Sequence, residues 1–545
     1  MSAPHVTYVA PRLPRRAWAP GYQRVLSVAF LVAVVLMCSQ YTLYRYGPAT
    51  VVVSPIGRAA ESEISYYAHP KEGVPDSDIQ QPGLYLLNWA TYDQVAYRLH
   101  TTRSIPPAEL LIALLFLVAL PLVGWFGRAL PWPRAPQWLL LGLAAMALVG
   151  STNWSEGIKE LIQWGLIMAA TWWLAAAALV DTAQVRRLGR LLLWITGVLA
   201  VLALGDWVQW VARAEPAQPL LVRASLQSRS AYGGLMAMLL VVATAYALAT
   251  PIAWRRWTAL VGIWLTTLTL LSGGALIAAY VGCLLVAARR SPRVLLCAAV
   301  AAPLGWALLL GIVQRDQFRL VHESISFYRY EQGQRVGVEK RYLEMGAALN
   351  ILNGTGDQVE TRLVPSEVPG EEPQRVPVGQ RSALTHGLGL GLAYQEAIGR
   401  HYNSLDNPEK QEPDTYTLYL LLAAQLGLFG AIAWAWLLAD GAKMAGRAEV
   451  RRAADSELAA LASGLRGAFV ALAIFSIWGT LLLRGTGPLV FVLLAAAWRL
   501  EGLRTEAQEA SSEDSRREDG DDYAIALDLD DSHFGGDRPG PDPAL

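Results

Sequence analysis

Apolar runs long enough to cross a bilayer recur along this chain, and they limit its fold more than any other feature. "VLSVAFLVAVVLMCSQYTLY", "ELLIALLFLVALPLVGWFG" and "RLLLWITGVLAVLALGDW" are three of them. A run of about 18 apolar residues marks a transmembrane helix. Backbone in hydrocarbon must satisfy its own hydrogen bonds, so only helices or closed barrels span a membrane. These runs lack the alternation of a barrel strand. The chain therefore reads as an all-α integral membrane protein. Its charged fraction of 17% supports this, since soluble domains carry about 25%. Nothing in it calls for a nucleic-acid partner.

About twelve spans fit the pattern: 24–44, 107–126, 137–151, 160–180, 190–211, 230–250, 257–272, 274–289, 294–313, 416–440, 463–483 and 486–500. Lys and Arg in short loops set the orientation. Arg12, Arg15, Arg16 and Arg24 put the N-terminus inside, with residues 1–23 as a cytoplasmic segment. Alternate loops then carry Arg128 and Arg134; Arg186, Arg187 and Arg190; Arg255 and Arg256; Arg289, Arg290 and Arg293; and Lys443, Arg447, Arg451 and Arg452. The basic loops keep phase with the span count, so both termini are expected to be cytoplasmic. The first run has no small-residue cleavage site after it and reads as a retained span.

Spans one to nine occupy 24–313, with an external loop over 45–106. A large external loop over 314–415 separates the ninth span from the tenth, and spans ten to twelve occupy 416–500. Within the large loop, "GDQVETRLVPSEVPGEEPQRVPVGQR" fits a β-hairpin or a mobile insert. Residues 501–545 form an acidic tail. After Leu503 it holds 13 acidic and 4 basic residues, a net −9, so the rest of this neutral chain carries +9. Low hydrophobicity and high charge predict disorder for the tail and leave room for a cytoplasmic partner. Cys38, Cys283 and Cys297 sit in apolar stretches and read as packing residues.

Polar residues gather toward the external face. Arg223 and Arg229 precede the sixth span. Arg341 opens "RYLEMGAALNIL", whose Met345, Ala348, Leu349 and Leu352 share one helical face. "HGLGLGL" begins at His386, and His401, Asp414 and Tyr416 follow before the tenth span. Arginine makes forked hydrogen bonds to phosphate and stabilises a leaving diphosphate. The same arginines also suit external carboxylates or lipid headgroups. Asp76 and Asp78 in "DSD" fit a metal pair or, more simply, a turn.

These features together resemble the O-antigen ligase and O-antigen polymerase family of bacterial membrane glycosyltransferases. In "RYLEMGAAL", Arg341, Ala348 and Leu349 keep the family's spacing, with Met345 where an aromatic is usual. "GLGLG" at 387–391 resembles its GxGxG-like stretch. "YTLYLLLAAQLGLFG" resembles the segment that closes its external loop, with Gly427 and Gly430 in register. "STNWSEGIKELIQWGLIM", "RSAYGGLMAMLL" and "LLSGGALIAAYVG" resemble upstream spans, so the likeness covers about residues 110–500 diffusely. Tyr416 stands where the ligases carry a histidine, Thr417 where Asn is usual, and Gly273 where Arg follows Ser272.

The resemblance implies a transferase at the outer face of the bacterial cytoplasmic membrane. Its donor is a glycan on a polyprenyl diphosphate, and its acceptor is a glycan or lipid-linked hydroxyl. It implies no cofactor and no metal. Arg229, Arg341 and Arg223 would hold the diphosphate. A tyrosine is a weak base at neutral pH, so Asp414 would take the acceptor proton with Tyr416 orienting it, and His386 or His401 is the alternative base. The rival reading is a multi-span transporter or lipid-linked glycan flippase. A non-catalytic scaffold docked through the acidic tail is the third.

Overall fold

In the computed structural model the described residues are 20–39, 107–125, 133–149, 154–213, 224, 229–270, 273–312, 417–479, 481 and 487–503, with short strands between them. The chain divides into two compact units, Met1–Glu501 and Gly502–Leu545. The acidic tail lies outside the described residues beyond Leu503.

A helix occupies each of the twelve apolar stretches. In chain order they are α1 (Pro20–Ser39), α2 (Pro107–Trp125), α3 (Ala135–Val149), α4 (Trp154–Gly165), α5 (Thr171–Ala178), α6 (Thr182–Arg213) and α7 (Arg229–Ala249). Then follow α8 (Ala253–Thr267), α9 (Gly273–Arg290), α10 (Pro292–Ile312), α11 (Leu418–Leu426), α12 (Leu428–Arg451), α13 (Ser456–Phe475) and α14 (Gly487–Gly502). Four stretches among the described residues are long and apolar enough to cross a membrane: Glu160–Ala178, Thr182–Asp206, Ala231–Ala249 and Ser456–Phe475. Arg24–Cys38, Ala108–Ala119, Ala135–Val149 and Pro292–Gly305 are shorter apolar helices. The architecture is helical, and these apolar helices are consistent with a membrane protein.

Three local features differ from the sequence expectation. The stretch 416–440 is not one helix. It breaks at Gly427, whose φ of 75° and ψ of 175° end α11 and start α12. The eleventh span begins earlier than 463 and ends earlier than 483, because Asp455 caps α13 by accepting the backbone N–H groups of Glu457 and Leu458. Between α4 and α5 the helix widens into a π-turn over Leu166–Ala170. Short antiparallel ladders also form outside the bundle, so "all-α" holds for the bundle alone. Thr42–Arg45 pairs with Leu84–Leu87 and Arg103–Ile105. Thr361–Val364 pairs with Gln374–Pro377, which is the hairpin alternative for "TRLVPSEVPGEEPQRVP".

The core centres on α7, of whose apolar stretch Ala231–Ala249 94% is buried. It packs against α13, α9 and α8. Lipid offers no hydrophobic drive between helices, so small residues that permit close contact decide where they meet. A Cβ on Gly464 would lie 2.8 Å from the Cα of Val242, and one on Gly282 would lie 2.5 Å from Val241 and 3.1 Å from the Gly467 carbonyl. These glycines bring α7, α9 and α13 into backbone contact.

One end of the bundle carries a layer of ion pairs. Arg134 grips Asp440 of α12 through two bonds of 2.8 and 3.0 Å. Arg190 of α6 forks onto Glu457 of α13 at 2.8 and 2.9 Å. Arg186 pairs with Asp455, Arg289 with Glu449 and Arg447 with Glu501. These are the arginines of the expected inside loops. The N-terminal ends of α3, α6 and α13 therefore share one end of the bundle with the C-terminal ends of α9, α12 and α14.

Candidate functional site

At the opposite end, several helix termini meet around the C-terminus of α13. The N–H of Leu418 donates to the Ser476 carbonyl at 2.9 Å, and the Thr417 hydroxyl donates to Ile477 at 3.0 Å. Tyr419 donates to the Ala473 carbonyl at 3.2 Å. The first turns of α7 arrive at the same place, since a Cβ on Gly234 would meet Phe475 and Leu481 within 2.7 Å. A Cβ on Gly274, at the start of α9, would meet Trp478 at 2.5 Å. Tyr232 of α7 bonds Thr269, just past α8, at 2.6 Å. Thr269 gives its own proton to the Thr266 carbonyl, so Tyr232 is the donor.

Arg229 is the first residue of α7, and its side chain lies outside the described residues. Arg223, Arg341, His386, His401, Asp414 and Tyr416 lie outside them too, as do Met345 to Leu352 and the "DSD" loop. Their flanks are informative. Thr417, next to Tyr416, is buried on α13. Ala224, next to Arg223, has φ 50°, a left-handed conformation that costs a non-glycine residue about 1–2 kcal/mol. Its N–H donates to the Asp206 carboxylate at 3.0 Å, which ties the turn to the end of α6.

A second polar feature lies deeper. Gln425, 3% exposed in the last turn of α11, donates through Nε2 to the Glu160 carboxylate at 2.7 Å. From Leu418 this is seven residues, or about 10 Å along the helix. Glu160 belongs to a polar series on α4, Glu156, Lys159, Glu160 and Gln163, spaced i, i+3, i+4, i+7. Trp154, Ile158 and Ile162 of that helix are 56%, 44% and 62% exposed. An apolar face turned outward, with Glu160 turned toward α11, is the amphipathic order of a helix in lipid. The π-turn follows directly; such turns are frequent at functional sites. The Gly427 break follows Gln425 by two residues. Irregular backbone at membrane depth occurs where it is buried in protein or lines a cavity.

Beside α11 runs an apolar cleft of about 410 Å³, lined by Tyr419, Leu438, Ala439, Phe469, Ala473 and Ile477 among others. It can take hydrocarbon and offers no charge to a polar ligand. The sequence reading missed Glu160 and Gln425. The signal for Glu160 was present in the polar spacing of "EGIKELIQ", while Gln425 had none in its apolar surroundings.

No protein-family model matches the chain, and no curated protein matches it.

Proposed function

We propose that this chain is a membrane glycosyltransferase of O-antigen ligase or polymerase type. It has about twelve spans with both termini inside, and it works at the outer face of the bacterial cytoplasmic membrane. The observation that carries the reading is the meeting of helix termini at the C-terminal end of α13. The segment that follows Arg223 and Arg229 and the segment that follows Asp414 and Tyr416 both dock there, through Gly234 and through Thr417.

On this reading Arg229, Arg341 and Arg223 hold the diphosphate of a polyprenyl-linked glycan. Asp414 accepts the acceptor hydroxyl's proton, with Tyr416 orienting it and His386 as the alternative base. The acceptor oxygen bonds to the anomeric carbon as the bond to the diphosphate oxygen breaks. The electron pair leaves with the polyprenyl diphosphate, and the configuration inverts. The apolar cleft beside Tyr419 suits a hydrocarbon chain near this end. The test is transfer by purified protein from a lipid-linked glycan to candidate acceptors. Arg341→Ala or Asp414→Ala proteins that transfer at the native rate would sink the assignment.

A second reading has its own support. A helix broken at Gly427, with the Gln425–Glu160 pair beside the break, is a feature of transporters. Translocation of lipid-linked glycan across protein-loaded vesicles, with no transfer product, would favour it.

A further inference from the structure

At the charged end of the bundle, positive charge outweighs negative around one carboxylate. Arg134, Arg190 and Arg447 each fork onto an acid through two bonds of 2.5 to 3.2 Å. Arg289, in the last turn of α9, behaves differently. Among the described residues it makes a single 3.5 Å contact with Glu449 of α12, which leaves most of its five donors without a partner there. Arg466 of α13 lies across Gly446 of α12, where a Cβ would come within 3.2 Å of Nη1 and 3.4 Å of Cζ. Gly446 and Glu449 are three residues apart and share a helix face. Arg289 and Glu449 are both near enough to act on the charge of Arg466. Among the described residues, no carboxylate lies within ion-pair distance of Arg466, Arg290 or Arg293.

We propose that Arg289 and Arg466 form a binding site for the phosphodiester of an anionic phospholipid in the leaflet at this end of the bundle. Two guanidiniums and one carboxylate leave a charge of +1, which complements the single negative charge of phosphatidylglycerol. Guanidinium is the side chain best shaped for phosphate oxygens. Basic pockets between membrane helices take acidic headgroups in this way. The glycine at 446 keeps the α12 surface low, so the Arg466 side chain lies close against it. Glu449, 14% exposed at its side chain, limits how deeply an anion can sit and keeps Arg289 oriented. This site lies at the end opposite the helix termini gathered on α13 and is independent of the transferase reading.

The experiment is native mass spectrometry of the full chain purified in zwitterionic detergent, with phosphatidylglycerol and phosphatidylcholine supplied in equal amounts. Wild type retains phosphatidylglycerol preferentially. Arg466→Gln lowers that preference by about tenfold, the scale of one charge-assisted contact. Glu449→Gln raises it, and this variant decides the matter if Arg466→Gln does not fold. Equal retention in wild type and variants overturns the site. A thermal stabilisation reproduced by inorganic phosphate at the same concentration also overturns it, because the site would then take free phosphate and not lipid.

Discussion

The side-chain amide of Gln425 donates to the carboxylate of Glu160 at 2.7 Å, joining the last turn of α11 to the polar face of α4. The amide is buried and the acid half-buried. A carboxylate turned into a membrane bundle is expensive and marks a functional position by default. The contact fixes which way α4 is rotated, because its apolar face is left to lipid.

Gln425→Leu should therefore destabilise the protein by about 1–3 kcal/mol, the cost of leaving a buried polar partner unmet. A lowered thermal midpoint by fluorescence-detected size exclusion would show it. Glu160→Gln keeps a hydrogen-bonding group in place and should leave the midpoint near wild type. If that variant folds normally but loses transfer or translocation, the pair has a functional role. If both variants melt like wild type, the contact is not made in the membrane.

Ala224 offers a test of stored strain. Its left-handed backbone is held by the Asp206 carboxylate, one residue after Arg223. Glycine adopts this conformation without penalty. Ala224→Gly should raise stability by up to about 1 kcal/mol net of the extra freedom gained by the unfolded chain. Asp206→Asn, which weakens the acceptor, should lower it. Opposite shifts in thermal midpoint are expected, and a shared direction would contradict the account.

Asp455 links stability to pH. Burial pushes its carboxyl up, but the hydrogen bond from Arg186, the N–H of Leu458 and the Arg186 charge outweigh that and hold it below the usual carboxylate range. The unfolded chain therefore takes up a proton at a higher pH than the folded one. The stabilisation is fully present above the ordinary aspartate pKa and is lost as pH falls through the depressed folded value. Asp455→Asn keeps the helix cap and removes the charge, so its melting temperature should fall less than wild type's on acidification. Asp455→Ala also removes the cap and should cost about 0.5–2 kcal/mol at neutral pH. Parallel acid profiles for wild type and Asp455→Asn would refute the linkage.

The positions of the helices were legible from apolar run length. Arg134, Arg186, Arg190, Arg289 and Arg447 each form an ion pair between elements far apart in the chain. Sequence did not reveal that each has an acidic partner on another helix, because pairs such as Arg134–Asp440 are 306 positions apart. The early start of α13 was hidden for a related reason. Its first turns are held by Asp455 and Glu457 through arginines of α6, while a hydropathy reading passes over a charged first turn. The π-turn at Leu166–Ala170 leaves no mark in a uniformly apolar string. Sequence does not tell whether Gly427 packs or breaks a helix, because glycines serve both purposes, and only its dihedral angles separate them.

Those angles make Gly427 sensitive to any side chain. At φ 75° and ψ 175°, Gly427 occupies a region that side chains other than glycine's almost never enter. Placing alanine there should cost about 1–3 kcal/mol. The chain has one cheap escape, which is to straighten α11 and α12 into a continuous helix. Straightening would swing Gln425 away from Glu160 and pull Thr417 off Ile477, so either outcome lowers stability. Gly197→Ala is the control. That glycine lies in α6 with nothing within 4 Å of an added Cβ, and alanine should stabilise it by up to about 1 kcal/mol. Thermal midpoints of the two variants should move in opposite directions. A Gly427→Ala protein as stable as Gly197→Ala would mean that the break between α11 and α12 is not held in the folded chain.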